Sequence, residues 1–454
     1  MSASHIQDLT QGNIRKQLWS LAWPMMLSMF FYTLYGIVDT FWVSKLSAEA
    51  IAAVSISQVT LFVMIALSMG ISVGSGVLMA MQIGGKNIKE AERILGQSFV
   101  LASISGIFFT ILCLVFRQPL LIASGASGAI FAPAMEYFTV SSAGSIFFFL
   151  MMTIMFAFNS EGDTFTLTKL FAISTLVNVV LDPIMIFGHF GTPAFGVSGA
   201  AYATLISQLV FIILAIRILS SEKRKIRFFF KNLSFKWQSV KQVLKIGIPA
   251  SLTQVINPIG TSALIYITSQ KFLEAGAIAF SLAFRVEFFA FLPAVGFGFG
   301  AMAMIGQSMG AGKKERAQEV FKKGLKYAFL SATGLGVLAI LFGKYIIGLF
   351  TTEPVVMNYA LLYLWVVGGT YGFLAASMVE SSAFQAMGRS WPGFWIFFIK
   401  FIIISIPFSL ILSGLFPNQI ISIWSAIALS NVVAAVFGYV WSKRSIDTVT
   451  KAEV

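Results

Sequence analysis

The chain has 454 residues with a formal net charge of +13; 57% of the residues are hydrophobic and only 11% are charged. A soluble globular protein carries about 25% charged residues, so this composition excludes a chain whose whole surface faces water. Cys113 is the single cysteine, and His5 and His189 are the only histidines. These counts exclude an intramolecular disulfide and argue against metal sites built from thiols or imidazoles.

Long apolar runs recur along the whole chain, each with the roughly 18 or more residues that a helix needs to cross about 30 Å of hydrocarbon. We expect helices because backbone groups in lipid must be hydrogen-bonded within the segment, and the alternating pattern of a membrane barrel is missing. The predicted spans are, in chain order, 15–43, 51–80, 92–116, 128–157, 165–188, 196–219, 241–269, 275–308, 317–350, 355–386, 392–415 and 419–442. The sequence therefore predicts an all-α integral membrane protein of about twelve transmembrane helices.

Lysine and arginine are concentrated in alternate loops. One set of loops carries most of them, whereas the opposite set holds Lys45, Arg117, Lys271 and Lys344. Basic loops remain on the cytoplasmic side, so we expect both termini in the cytoplasm and the chain in a plasma or inner membrane. The same distribution accounts for the net charge without a nucleic-acid partner.

The basic segment 220–240 divides the chain near its middle. It separates a predicted N-terminal lobe, 1–219, from a C-terminal lobe, 241–454, with six spans in each. Within the segment, residues 227–237 mix Phe and Trp with Lys and Arg. This mixture fits an interfacial amphipathic helix and equally fits a solvated linker that rests on lipid headgroups, and the sequence leaves both alternatives open.

The two halves resemble each other at a nearly constant offset. Gly70 and Gly74 recur 226 positions later as Gly296 and Gly300, and several other short matches keep nearly the same register. An even number of helices in each half gives both halves the same orientation in the membrane. The repeat therefore predicts two pseudo-symmetric six-helix lobes around a central cleft, an arrangement suited to transport by alternating access.

Ionisable residues inside apolar spans cost about 2.5–3.5 kcal/mol and are functional candidates. Asp39 lies late in the first span, four residues after Tyr35, and Asn178 and Asp182 have the same spacing on the fifth span. Residues four apart share a helix face. Pro183 cannot donate its amide, so we expect a kink and a free carbonyl oxygen beside Asp182. These oxygen atoms predict a cation-coupling site for H⁺, or for Na⁺ held by Asp39, Asn178 and Asp182.

Further candidates surround this predicted site. Thr204 could face the same cluster or could bond back to its own helix. The candidates for contact with a substrate are Tyr35, Asn178, Thr204 and Asn159. Pro24 lies fifteen residues before Asp39 and, with Pro183, is a candidate hinge, with a static kink as the alternative.

The second half lacks the acidic pattern of the first. The positions equivalent to Asp39 and Asp182 are Leu264 and Phe408, which favours one coupling site over two. The charged candidates in this half are Arg285, Glu287 and Glu380. We expect Arg285 to pair with an acid and hold the C-terminal lobe together.

Several stretches resemble the multidrug and toxic compound extrusion (MATE) family, in particular its prokaryotic DinF-type branch. They are Leu21-Ala22-Trp23-Pro24, Val38-Asp39-Thr40, Asn178 with Asp182-Pro183, and 306–312. The likeness runs along essentially the whole chain. It implies twelve helices in two lobes and antiport of organic cations or amphiphiles against H⁺ or Na⁺. In the DinF-type branch the coupling site lies in the N-terminal lobe, and its residues match Asp39, Asn178 and Asp182; other branches place coupling acids in the C-terminal lobe.

The expected mechanism is an exchange. A proton or Na⁺ from outside neutralises the Asp39–Asp182 cluster and favours release of a drug outward, and a new drug from the cytoplasm favours release of the cation inward. The expected partners are small-molecule drugs or amphiphiles and membrane lipid, with no nucleic acid, no organic cofactor, and the chain as a monomer.

Three other functions fit the sequence less well than this exchange does. A flippase for lipid-linked oligosaccharides or other lipids needs several intramembrane basic residues, and only Arg285 and Lys400 qualify. An enzyme is not expected, because the histidines are sparse and the acids scattered. A passive channel fits the repeat and the kinked helices less well than alternating access does.

Overall fold

The computed structural model describes residues 8–451, with side chains through residue 445, and every regular element in this part of the chain is helical. The α-helices are α1 (Ile14–Val43), α2 (Ala48–Gly84), α3 (Ile88–Val115), α4 (Arg117–Ala123), α5 (Phe131–Ala143), α6 (Ser145–Glu161), α7 (Thr164–Phe187), α8 (Val197–Leu219), α9 (Trp237–Gly310), α10 (Lys314–Gly348), α11 (Pro354–Val366), α12 (Tyr371–Ala386), α13 (Trp391–Phe398), α14 (Ile406–Leu415) and α15 (Ile421–Lys451). A π-helical turn, Ile399–Ser405, joins α13 to α14.

Ten helices or joined helices of the described chain are long and apolar enough to cross a membrane, and an eleventh span forms when the bent pair α5 and α6 is counted as one. The 74-residue α9 leaves helical geometry at Phe272 and Leu273. This break divides it into two segments that match the seventh and eighth predicted spans. The prediction of an all-α membrane protein with about twelve spans is therefore confirmed.

The fourth predicted span, 128–157, is not one straight helix. It consists of a short 3₁₀ turn, α5 and α6, with a bend of 50° at Gly144. A Cβ atom at Gly144 would lie 2.0 Å from the side chain of Leu205. The absence of a side chain at Gly144 therefore lets α8 approach the bend.

The described chain divides into two compact units. One contains Leu27–Ser251, and the other contains Asp8–Met26 together with the chain from Leu252 onward. Each division falls inside a helix and two residues after a proline, Pro24 in α1 and Pro249 in α9. The predicted boundaries at 219 and 241 coincide with loops. The observed units divide inside helices instead, because the beginning of α1 packs within the second unit and the beginning of α9 packs within the first.

The same close helix crossing occurs once in each unit, at positions related by the repeat. In the first unit, a Cβ atom at Gly70 would lie 2.5 Å from the carbonyl oxygen of Gly247. In the second unit, a Cβ atom at Gly296 would lie 2.8 Å from the carbonyl oxygen of Ala22. Both distances are far below van der Waals contact, so these two backbones approach their neighbours only because the residue is glycine.

The segment between α8 and α9 excludes one of the two alternatives that the sequence left open. Its only regular element within the described residues is the 3₁₀ turn Phe230–Asn232, so the amphipathic helix is wrong. Ile226 is fully buried, and the buried Phe228 packs against Phe99 with ring centroids 4.6 Å apart. The segment is therefore anchored at Ile226 and Phe228, and the alternative of a solvated linker applies only to its later part, where Phe230, Phe235 and Trp237 are exposed. We call residues 220–236 the linker strap.

A buried ionic contact holds the linker strap against the first unit. The guanidinium of Arg224 pairs with the carboxylates of Glu161, at the end of α6, and Asp163, at the start of α7. All three side chains are at most 6% exposed. Each terminal nitrogen of the guanidinium contacts one acid, which explains how a basic residue of a loop becomes buried instead of remaining in solvent.

Candidate functional site

The predicted coupling residues lie on three helices of the first unit. Asp39 is on the second half of α1, Asn178 and Asp182 are one turn apart on α7, and Thr204 is on α8. The start of α7 is fixed by Asp163, whose side chain accepts a hydrogen bond of 3.1 Å from the backbone N–H of Thr166.

One amide joins the two acids. The Nδ2 atom of Asn178 donates to Oδ1 of Asp39 at 3.1 Å and to Oδ1 of Asp182 at 3.0 Å. Asp39 is 5% exposed, and Asn178 and Asp182 are fully buried. The structure thus brings together the three residues that the sequence had singled out.

Thr204 and Tyr35 complete this arrangement. The Thr204 hydroxyl donates to Oδ2 of Asp39 at 3.0 Å, which selects the first of the two alternatives for this residue over a bond back to its own helix. The Tyr35 hydroxyl donates to the carbonyl oxygen of Thr204 at 3.2 Å. We call Asp39, Asn178, Asp182 and Thr204 the aspartate cluster.

The aspartate cluster has more acceptor capacity than its donors satisfy. Oδ2 of Asp182 and Oδ1 of Asn178 accept no hydrogen bond from any described residue, and the carboxyl groups of Asp39 and Asp182 interact directly. Neither acid forms an ion pair with a described lysine or arginine. Two ionised carboxylates side by side in an apolar interior are costly, so the cluster is suited to hold a proton or a small cation.

The chemistry of the donors fits such a cation. Carboxylate, amide and hydroxyl oxygens are the ligands that hard cations prefer. The described residues contain no group of three or more His, Cys, Asp or Glu side chains that could hold a metal ion. A Na⁺ ion in the cluster would therefore be held by two carboxylates together with the neutral oxygens of Asn178 and Thr204.

Asp39 and Thr204 open on a cavity of about 370 Å³ in the first unit. Asn178 and Asp182 do not line it. The other lining residues include Tyr32, Tyr35, Gln58, Phe62, Tyr137, Phe148 and Gln208. The volume lies within the roughly 300–1,000 Å³ of small-molecule sites. The cavity is therefore large enough for an organic molecule beside Asp39.

The lining residues that the sequence does not predict include Gln58, Tyr137 and Gln208. Gln58 and Gln208 are amides inside otherwise apolar spans, which is the one signal that could have found them. Asn159, in contrast, was a predicted substrate contact, but it is buried near the end of α6 and does not line the cavity.

The two candidate hinges lie inside helices. Pro183 directly follows Asp182 within α7, and Pro24 lies within α1, which is helical from Ile14 to Val43. The carbonyl oxygen of Pro183 lies 3.0 Å from Nδ1 of His189. Their action as hinges stays a prediction.

The charged candidates of the second unit do not form a second aspartate cluster. Arg285 is exposed over the ring of Phe350 and makes no ion pair with a described residue, so the expected pairing of Arg285 with an acid is not found, because its guanidinium faces the surface. Glu287 accepts a hydrogen bond from the Tyr363 hydroxyl and faces the charge of Lys400, which lies in the π-helical turn. Lys400 and Tyr363 were not predicted as partners of Glu287.

The family model MatE matches residues 24–184 and 249–411, two stretches that correspond to the two halves of the repeat. "Probable multidrug resistance protein NorM" from Thermotoga maritima is 28% identical over 446 residues, which cover 96% of this chain and 95% of that protein. "FAD transporter" from Shewanella oneidensis is 23% identical over 445 residues, with 97% of both chains covered.

The fold agrees with solved structures. "Crystal structure of MATE in complex with MaL6" superposes with a TM-score of 0.93 at 26% identity and covers 99% of this chain and 100% of that one. The match of the family model to both halves, together with a shared fold over almost the full length, establishes the relationship. The chain belongs to the MATE family of membrane transporters.

Proposed function

We propose that this protein is a secondary active exporter that exchanges cationic or amphiphilic organic compounds for H⁺ or Na⁺, with both termini in the cytoplasm and no organic cofactor. The observation that carries the proposal is the amide of Asn178, which bridges two buried carboxyl groups. One of them, Asp39, opens on a cavity of drug size. The relatives named as multidrug resistance proteins support the choice of substrate class.

The aspartate cluster can couple the organic substrate to H⁺ or Na⁺, because both bind to the negative charge of the ionised acids. A cationic substrate in the cavity is attracted by the ionised Asp39 and by the faces of Tyr32 and Tyr35. A proton or Na⁺ at the cluster removes that charge. The two therefore exclude each other, and each favours the release of the other.

The position of the cluster gives the exchange a structural consequence. Asp39 belongs to α1, whereas its donors Asn178 and Thr204 belong to α7 and α8. Ionised Asp39 and Asp182 repel each other, and a bound cation draws them together. We infer that loading of the cation shifts α1 towards α7 and contracts the cavity beside Asp39, which expels the substrate.

Efflux of a fluorescent cation from proteoliposomes, under separately imposed H⁺ and Na⁺ gradients, tests this proposal. One of the two gradients is expected to drive efflux, and Asp39→Asn is expected to reduce it to the level of empty liposomes. Glu353→Gln, the same change at an exposed position, is the matched control and is expected to transport normally. Full efflux by Asp39→Asn at equal reconstitution would refute the role of the cluster.

A lipid flippase receives less support. Lys400, the buried basic residue of the second unit, faces Glu287, so its charge is already balanced and is not free for a pyrophosphate. Two assays separate the functions. An exporter is expected to transport the fluorescent cation and not to accelerate the movement of a labelled lipid between leaflets, whereas a flippase is expected to accelerate it.

A further inference from the structure

The second unit contains a cavity of about 400 Å³ between α10, α12 and α15. Its walls are mainly apolar and aromatic, with Phe329 from α10, Phe373 from α12 and Tyr439 from α15. One acid, Glu380 of α12, lines it as well. The exchange proposed above does not use this cavity or this acid.

Glu380 is 1% exposed, and neither of its carboxyl oxygens has a hydrogen-bond partner among the described residues. Its Oε2 atom lies against the backbone of α15 at Gly438, where a Cβ atom would lie only 2.0 Å away. Gly438 thus leaves the space that the carboxyl group occupies. A buried acid without a partner is unusual, because even a neutral polar group left unsatisfied costs about 1–3 kcal/mol.

The charged and titratable groups that face the same cavity are Lys322 and Lys326 from α10 and Tyr439 from α15. Both lysines are exposed, and neither forms an ion pair with Glu380 in the described part of the chain. Their charges can remain in water while their stems cover apolar surface. The deep end of the cavity is therefore acidic and its exposed end is basic.

We propose that this cavity is a second ligand site that binds a lipophilic organic cation, with the positive charge at Glu380 and the apolar body against Phe329 and Phe373. The volume suits a small organic molecule, and aromatic faces attract cations. A phospholipid is a weaker candidate for the occupant, because its phosphate would pair with the exposed lysines and gain nothing from the carboxyl group of Glu380.

The ligand would exchange with a proton. Without a ligand, Glu380 keeps its proton, because an ionised carboxylate without a partner among apolar side chains is costly. A cation that binds there replaces this proton, which passes to water, so the charge of the filled site is unchanged. The site does not depend on the aspartate cluster, and the two proposals can fail separately.

The test uses two probes of the same shape and opposite charge, tetraphenylphosphonium and tetraphenylborate, and measures their equilibrium binding to the full chain in nanodiscs. The Asp39→Asn variant is the parent, so that the cluster does not contribute. In this parent, Glu380→Gln is expected to weaken binding of the phosphonium about tenfold or more, because a charge-assisted contact is lost. Gly438→Ala is expected to weaken it similarly, because the new methyl group displaces the carboxyl group.

A matched control and a second readout complete the experiment. Glu319, whose carboxylate pairs with Lys323 at 2.6 Å on α10, does not line the cavity, and Glu319→Gln is expected to bind as the parent does. Binding of the phosphonium should release about one proton per site in weakly buffered solution, and Glu380→Gln should release none. Unchanged phosphonium affinity in Glu380→Gln, or equal binding of the borate by the parent, would overturn the proposal.

Discussion

Asn178 donates its side-chain amide to Asp39 across 3.1 Å, although the two residues are 139 positions apart in the chain. The same nitrogen donates to Asp182 on its own helix. The amide therefore fixes the distance between two acids that belong to different helices. A cation loaded at this point would change the force between α1 and α7 directly, which is the physical basis of the proposed exchange.

Thr204→Ala is expected to change the affinity of the aspartate cluster for the driving ion, and Thr204→Ser is expected to restore it. The affinity should rise for H⁺, because ionised Asp39 loses a donor, and fall for Na⁺, because the ion loses an oxygen ligand. The hydroxyl of Thr204 donates to Oδ2 of Asp39, and a bond to a charged group contributes about 1.5–3 kcal/mol. Alanine removes this donor from Asp39, whereas serine keeps it. The measurement is the concentration of the driving ion that gives half-maximal efflux. A half-maximal concentration in Thr204→Ala equal to that of the unaltered protein would contradict the contact.

Gly70→Ala is expected to destabilise the first unit by about 1–3 kcal/mol. A Cβ atom there would lie 2.5 Å from the carbonyl oxygen of Gly247 and 1.8 Å from Oγ of Ser251. Gly334→Ala is the matched control, since a Cβ atom there meets nothing within 4 Å. The midpoint of thermal unfolding in detergent should fall for Gly70→Ala and should not fall for Gly334→Ala. Equal midpoints would contradict the prediction, because they would mean that α2 and α9 can move apart without loss of stability.

Arg224→Met is expected to destabilise the protein by about 3–5 kcal/mol, because it leaves Glu161 and Asp163 buried without their counter-charge. Arg227→Met is the control in the same linker strap. Arg227 is 38% exposed and lies 3.9 Å from Glu92, so its loss should cost about 1 kcal/mol or less. Thermal unfolding and limited proteolysis of the linker strap measure both effects. Similar losses for the two arginines would contradict the buried contact.

The aspartate cluster could be predicted because acids are conspicuous in apolar spans. Asp39 and Asp182 stand in runs where any charge is costly, and the spacing of Asn178 from Asp182 places both on one helix face. Gln58 and Gln208 could not be assigned in the same way. An uncharged amide in a span can satisfy itself within the core, and only the three-dimensional packing shows that these two face the cavity.

The linker strap could not be predicted for a different reason. A run of lysine and arginine near a membrane usually faces water or headgroups, and the sequence around Arg224 carries no sign of burial. Its burial depends on Glu161 and Asp163, more than sixty positions earlier in the chain, which meet at the junction of α6 and α7. Such a contact is set by the tertiary fold and not by the local pattern.

Pro24→Ala is expected to slow transport while binding of the substrate stays unchanged. Pro24 lacks the N–H that would bond to the carbonyl oxygen of Ser20, so α1 is weakened in the turn that ends two residues before the chain passes from one compact unit to the other. Alanine restores the donor and stiffens the helix. The rate of efflux and the substrate affinity, measured separately, test this.

Pro249→Ala is the matched control for this prediction, because Pro249 holds the equivalent place in α9, two residues before the other division between the units. No acid of the aspartate cluster lies on α9, so bending at Pro249 is not linked to the loading of the cation, and its variant should keep most of the transport rate. A full transport rate in Pro24→Ala would remove the hinge, and equal losses in both variants would mean that the prolines serve the packing of the helices and not the coupling.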